Sequence, residues 1–223
     1  MKTEADILKV TSRYLEPYNK GYTIEGSCCG SITYAEATYM QDFIKKHGLK
    51  NGIEIGTGTS YSTIHLAFVL DNLITVDNGA IATTIGHEYG YVRGAWNAMF
   101  LDLDIHNVRF CMALEEIDEK IKDIDFVLVD GAHTPEAPLK DCLDVVPHLA
   151  DRHYIFMHDT LNPHVMDAIN ERVKAGYKME MITLDEKDTY GMAVMWKHVE
   201  PVEKPIEVKN LKLRPMKRIR KEK

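Results

Sequence analysis

The sequence predicts an α/β fold: a doubly wound, mostly parallel seven-stranded sheet that ends in an antiparallel hairpin. Short apolar runs alternate with helical patterns along most of the chain, which is typical of parallel sheets covered by helices on both faces. Two further apolar runs, residues 179–184 and 192–196, are separated by a short polar segment and predict the hairpin. The chain has 223 residues and is 45% hydrophobic, which is enough for one such domain.

Helical patterns fill the N-terminal part of the chain. Residues 1–22 show an amphipathic pattern that a proline and a glycine end, and residues 33–48 show a second one. Thr33 and Glu36 have the spacing of a capping box at the start of this second helix. We therefore expect a single domain of residues 1–198, in which residues 1–48 are a helical lid, followed by a basic tail of residues 199–223.

The remaining elements follow in order. Strands are predicted at residues 53–55, 73–76, 108–112, 124–129 and 154–157. Helices are predicted through residues 64–70, from residue 89 onward, and at residues 114–122, 135–149 and 163–174. Because each of these strands is followed by a helix or a helical segment, their carboxyl ends should meet along one edge of the sheet.

The stretch NGIEIGTGTSYSTIHLA, residues 51–67, organises the predicted site. A buried strand breaks into a glycine turn and restarts as a helix, which is how open α/β sheets build a ligand cradle. A dinucleotide would need a small residue where Tyr61 stands, and its pyrophosphate would be repelled by Glu54. The ammonium and carboxylate of S-adenosylmethionine suit the same turn better. A tight turn in some other α/β protein stays open as an alternative.

Six ionisable residues lie at or just after the ends of the predicted strands: Glu54, Asp77, Asp130, His133, His158 and Asp159. Buried like charges repel and cost desolvation unless a cation or a ligand compensates them. A hard divalent cation such as Mg²⁺ between Asp130 and Asp159 would do so. Each residue also has a simpler interpretation, since Asp130 could cap the next helix and the histidines could be hydrogen-bonded without a catalytic role.

The order of these motifs carries a family resemblance. E-x-G-x-x-x-S-Y-S, L-I-T-V-D-N, I-D-F-V-L-V-D-G-A-H and I-F-M-H-D-T follow one another between residues 51 and 196. The chain resembles a class I S-adenosylmethionine-dependent methyltransferase with a Rossmann-like fold. More narrowly, it is similar to the metal-dependent O-methyltransferases of the catechol and caffeoyl-CoA type and their bacterial relatives.

The resemblance implies a role for each matching residue. Ser62 matches the position that binds the carboxylate of the cofactor, and Asp77 matches the position that binds its ribose. His133 matches the position of the general base. The metal ligands would be Asp130 and Asp159, with the third position open between His158 and Thr160 because Thr160 stands where the catechol enzymes carry Asn. The implied cofactor-binding residues are Glu54, Gly56, Thr57, Gly58, Ser60, Ser62, Asp77 and Asp130.

These roles are chemically consistent. Methyl transfer from a sulfonium needs an aligned and deprotonated nucleophile. Mg²⁺ lowers the pKa of a bound hydroxyl, and a histidine is suited to take its proton.

The net charge of −7 hides a basic tail, which follows an acidic body. The main prediction is an enzyme that methylates a hydroxyl of a small molecule with the help of Mg²⁺. Because the sequence shows no membrane span and no signal peptide, we expect the enzyme to be cytoplasmic. A nucleic-acid methyltransferase that uses the tail is not favoured but stays open. A non-methylating protein that keeps the fold and a metal triad is another open alternative. A homodimer also stays open.

Overall fold

Nine strands and six α-helices lie in the part of the chain described by the computed structural model: residues 4–15, 23–24, 27–28, 32–79, 89–184 and 190–198. The strands are β1 (Thr23–Ile24), β2 (Ser27–Cys28), β3 (Asn51–Ile55), β4 (Asn72–Val76), β5 (Val108–Cys111), β6 (Ile124–Val129), β7 (Leu149–His158), β8 (Lys178–Ile182) and β9 (Met192–Trp196). The helices are α1 (Glu4–Leu15), α2 (Tyr34–His47), α3 (Tyr61–Ala67), α4 (Tyr89–Leu103), α5 (Ala137–Asp144) and α6 (Pro163–Lys174).

The main sheet has seven strands in the order β5-β4-β3-β6-β7-β9-β8. β5, β4, β3, β6 and β7 are parallel, whereas β9 pairs antiparallel with β7 and with β8. The predicted fold class, a Rossmann-like doubly wound sheet with a C-terminal antiparallel hairpin, is confirmed. β1 and β2 form a separate two-stranded sheet.

Two apolar cores lie on opposite faces of the sheet. One packs α1 to α4 against strand residues such as Phe126 and Phe156, with Trp96 fully buried among them. The other packs α5 and α6 against strand residues such as Val127 and Ile155. Successive strand residues point to opposite faces, so each central strand contributes to both cores. The result is a three-layer arrangement that leaves the strand ends free to form a site.

The predicted start of α2 is confirmed in atomic detail. The Thr33 hydroxyl accepts from the Glu36 backbone N–H at 3.2 Å, and the Glu36 carboxylate accepts from the Thr33 backbone N–H at 2.7 Å. This reciprocal pair is a capping box. Gly48 ends the helix in the left-handed conformation.

Three predicted elements differ in extent. The helix expected at residues 114–122 is wrong beyond a single 3₁₀ turn at Leu114–Glu116, because the Glu116 carboxylate and carbonyl are used by Met112 N–H and the Arg109 guanidinium. The helix expected at residues 135–149 ends at Asp144. A separate 3₁₀ turn follows at Val146–His148, and its central residue is a proline. β7 is longer than predicted.

The predicted basic tail, residues 199–223, lies outside the described residues. Among the helices that the structure describes, none is both long enough and apolar enough to span a membrane.

Candidate active site

The carboxyl ends of β3, β4, β6 and β7 border a cavity of about 530 Å³, a volume typical of small-molecule sites. Most of the predicted site residues line it: Gly56, Thr57, Gly58, Ser62, Asp77, Asp130, His133 and Asp159. Glu54, Ser60 and His158 do not line it and are buried behind its wall. Residues that lie far apart in the sequence therefore line one cavity at the strand ends, and their roles stay predictions.

The glycine turn after β3 has no room for a side chain at its first glycine. A Cβ on Gly56 would lie 1.9 Å from the Asp130 carbonyl oxygen, and the φ of Gly56 is +98°. The turn therefore runs directly beside the end of β6. This close approach places the turn predicted to bind the cofactor against the residue predicted to hold the metal.

Ser60 is the turn residue with the least expected backbone. Its φ is +64°, in the left-handed region that side chains other than those of Gly, Asn and Asp rarely adopt. The residue is fully buried and precedes α3. Backbone strain of this kind concentrates at ligand-binding sites, where the surrounding structure enforces it.

Asp77 follows β4 and reaches back to the turn. Its carboxylate accepts hydrogen bonds from the backbone N–H groups of Gly58 at 2.9 Å and Gly79 at 2.6 Å. The carboxylate is therefore held at the cavity wall, beside the turn, by donors of the main chain. That position agrees with the predicted ribose contact.

Glu54 lies in the buried centre of β3, behind the turn. Its carboxylate accepts from the hydroxyls of Thr63 at 2.5 Å and Thr75 at 2.6 Å, and Thr75 is also 2.6 Å from the Thr57 hydroxyl. Complete burial raises the pKa of Glu54 to about 7, against the opposing effect of these hydroxyls. Glu54 thus ties β3, β4 and α3 together beneath the cradle.

Asp130, His133 and Asp159 form a cluster on the other side of the cavity. One ligand atom from each lies within 4.8 Å of the others, a spacing that could hold a metal ion. The His133 ring is 3.0 Å from the Asp159 carboxylate, and this hydrogen bond raises the pKa of His133. Asp159 has a φ of +57°, so the cluster, like the turn, contains a strained residue.

His158 lies behind this cluster with its side chain 1% exposed. Its Nδ1 is 3.1 Å from Asp130 and 3.5 Å from Asp159, and its Nε2 is 3.2 Å from Glu36. Burial alone would lower the pKa of His158, but the carboxylates, Asp130 first, raise it far above its usual value. Burial likewise raises the pKa of Asp130, whereas hydrogen bonds from both histidines outweigh burial and lower that of Asp159.

Sequence reasoning missed Glu36 as a site residue. The capping-box spacing identified it as the start of a helix, and nothing in that pattern shows that its carboxylate turns inward to His158. It also missed the part of the wall that follows β5 and runs along α5, where Glu115, Lys140 and Asp141 lie. Only their place after predicted strands could have indicated them.

Part of the chain matches a known protein family. Residues 53–160 match the model of a family described as "Methyltransferase domain". No curated protein matches the chain in sequence. The match over residues 53–160 supports the methyltransferase resemblance that the strand-end motifs indicated, and the O-methyltransferase type stays a prediction.

Solved structures with the same fold are similar over most of their length. An O-methyltransferase from Bacillus cereus in complex with S-adenosylhomocysteine has a TM-score of 0.64 at 16% identity, covering 89% of this chain and 93% of its own. The O-methyltransferase TomG from Streptomyces achromogenes, involved in tomaymycin synthesis and solved with S-adenosylmethionine, has a TM-score of 0.65 at 15% identity and covers 88% and 91%. An rRNA methylase from Streptococcus thermophilus reaches 0.56 at 16% identity and covers 76% and 99%.

Proposed function

We propose that this protein transfers the methyl group of S-adenosylmethionine to a hydroxyl of a small molecule, assisted by a divalent metal ion. One observation carries the proposal: the Asp130–His133–Asp159 cluster and the glycine turn face the same cavity. The similarity to O-methyltransferases that bind this cofactor or its product supports the same conclusion.

The residues present fit the cofactor. The first glycine of the turn admits no Cβ, and a Cβ on Gly58 would meet nothing within 4 Å. Gly58 therefore leaves the main chain open to a ligand in the cavity. Asp77 would accept hydrogen bonds from the ribose hydroxyls, and Ser62, on the same wall, would bind the carboxylate of the methionine part.

The residues present also fit a hard metal ion. Asp130 and Asp159 supply carboxylate oxygens, the ligands that Mg²⁺ prefers. Bound there, Mg²⁺ would orient the acceptor hydroxyl and lower its pKa. Asp130 and Asp159 would hold the ion. His133, with its side chain 34% exposed and its Nε2 facing Asp159, would take the hydroxyl proton at Nδ1, the other ring nitrogen.

Metal binding to the purified protein tests this proposal before any acceptor is known. We expect Mn²⁺, followed by electron paramagnetic resonance, to bind and to be displaced by Mg²⁺. Asp159→Ala should abolish this binding because it removes one of the two carboxylates. Asp144→Ala is the matched control, since Asp144 lines the same cavity but pairs with Lys140.

Activity then tests the acceptor class. Transfer of radiolabelled methyl groups to a panel of small phenols and alcohols should be abolished by EDTA and restored by Mg²⁺. Wild-type protein that binds no Mn²⁺, or activity that survives EDTA, would show that the metal has no part in the reaction.

A further inference from the structure

Glu36 is buried more deeply than a helix cap requires. It lies in the first turn of α2 with its side chain 0% exposed. The capping box needs only its contact with the Thr33 backbone N–H, at 2.7 Å. Burying a carboxylate costs free energy unless it is paired and hydrogen-bonded, so a second contact has to account for this position.

The second contact is with His158. The Nε2 atom of His158 is 3.2 Å and 3.3 Å from the two carboxylate oxygens of Glu36. On the other edge of the ring, Nδ1 faces Asp130 at 3.1 Å. An ionised carboxylate only accepts hydrogen bonds, so Nε2 is the donor to Glu36. The imidazole is therefore held between α2 and the end of β6.

This arrangement fixes the orientation of a ring that touches both proposed metal ligands. Nδ1 of His158 is also 3.5 Å from Asp159. Groups that hydrogen-bond a metal ligand from behind set its orientation, and their loss weakens metal affinity by roughly 10- to 100-fold. Glu36 reaches no ligand itself, so any effect on the cluster has to pass through His158.

We propose that Glu36 is a positioning residue: it orients His158, which in turn holds Asp130 and Asp159 in place for the metal ion. The inference rests on the proposed function for the metal but concerns a residue that this function does not include. It makes the first turn of α2 part of the site, although α2 contributes nothing to the cavity wall.

The decisive variant is Glu36→Gln. A glutamine still caps the helix, because its single carbonyl oxygen can accept from Thr33 N–H. Its amide group then points N–H donors at the Nε2–H of His158, so the ring has to rotate or shift. We expect a crystal structure of the variant to show His158 and the Asp130 carboxylate displaced, and Mn²⁺ to bind roughly 10- to 100-fold more weakly.

The matched control is Thr33→Ala, which removes the other half of the capping box. This variant should lower Tm by about 2–4 °C, as expected for a lost cap in a chain of this size, and leave Mn²⁺ affinity unchanged. Glu36→Gln should weaken Mn²⁺ binding, and it should also lower Tm because it removes one partner of a buried pair. In both variants, calorimetric titration with S-adenosylhomocysteine should still detect binding and show that the glycine turn is folded.

The outcomes separate this inference from the proposed function. Unmoved His158 and Asp130 side chains in the Glu36→Gln structure overturn the inference, and so does wild-type Mn²⁺ affinity in that variant. Wild-type protein that binds no Mn²⁺ overturns the metal part of the proposed function. In that case, the structures of the two variants still show whether Glu36 positions Asp130 through His158.

Discussion

The carboxylates on the two sides of the cavity are held by different kinds of hydrogen-bond donor. Around the ends of β3 and β4, Asp77 accepts from backbone N–H groups and Glu54 from threonine hydroxyls. At the ends of β6 and β7, Asp130 and Asp159 are held by histidines. On the β3–β4 side, the donors are uncharged and lie at most 21 residues in sequence from the carboxylate that they contact. On the β6–β7 side, His158 is itself held by Glu36, which is 122 residues away in the sequence.

This difference indicates that the two sides of the cavity form from local and from distant contacts, respectively. A cradle built from nearby main-chain and hydroxyl donors forms with the local strand, turn and helix. A cluster that depends on charged side chains from distant segments forms only when the whole domain has folded. We therefore expect substitutions in one half to leave the ligand affinity of the other half intact.

The largest effect is expected from His133→Ala. Removing a general base typically lowers turnover by roughly 10² to 10⁴. Because His133 belongs to the metal half, the affinity for S-adenosylhomocysteine should stay at the wild-type value. His164→Ala, in α6 on the same side of the sheet, is the control for loss of a histidine. Turnover at the wild-type rate in His133→Ala would remove this residue from the mechanism.

Glu54 sharpens the comparison through the pH dependence of stability. Its folded pKa of about 7 lies above the ordinary value of 4.5, so the folded state binds the proton more tightly. The resulting stabilisation is complete below about pH 4.5 and is lost as the pH rises through 7. It amounts to about 3 kcal/mol.

Urea unfolding of wild type and Glu54→Gln across this pH range isolates the effect. The wild type should lose about 3 kcal/mol more than the variant, in which no proton is bound at this position. Parallel stability curves for the two proteins would mean that Glu54 is ionised in the folded state.

Asp77→Ala tests the cofactor half directly. Losing hydrogen bonds to a charged group should weaken binding of S-adenosylhomocysteine by roughly 1.5–3 kcal/mol in a calorimetric titration. Mn²⁺ affinity should not change. Asp71→Ala is a suitable control, because Asp71 precedes β4 on the opposite edge of the sheet and pairs only weakly with Lys50 at the surface. Unchanged cofactor affinity in Asp77→Ala would exclude Asp77 from the site.

The smallest effect is expected from deletion of residues 210–223. These residues follow β9 in the sequence and show no apolar periodicity, so turnover on a small acceptor should stay at the wild-type rate. A collapse of turnover, together with loss of strongly salt-dependent binding to nucleic acid, would instead favour a nucleic-acid methyltransferase.

The sequence predicted the parts of the site that local patterns determine. Asp77, Asp130 and Asp159 could be placed on one edge because each follows an apolar run, and parallel strands bring such positions together. The capping box likewise located the start of α2. These predictions needed only the periodicity of strands and the chemistry of helix ends.

What the sequence did not reveal depends on tertiary contacts. Glu54 is the acid after which the glycine turn begins, yet it lies beneath the cradle and bonds to threonines rather than lining the cavity. Glu36 turns inward because Nε2 of His158 lies there as a hydrogen-bond partner, and no local pattern records a partner so distant in the sequence. The charged segment after β5 makes only one 3₁₀ turn for a similar reason, since Arg109 and Met112 use its hydrogen-bonding groups.

The position of β9 has a consequence for synthesis of the chain. β9 lies between β7 and β8, although both of these strands precede it in the sequence. Residues 154–158 of β7, which pair with β9, are all buried in the folded protein. Until residue 196 has left the ribosome, this apolar edge has no partner and can pair with another chain. A nascent or truncated chain that ends before residue 192 is therefore the form most prone to aggregate.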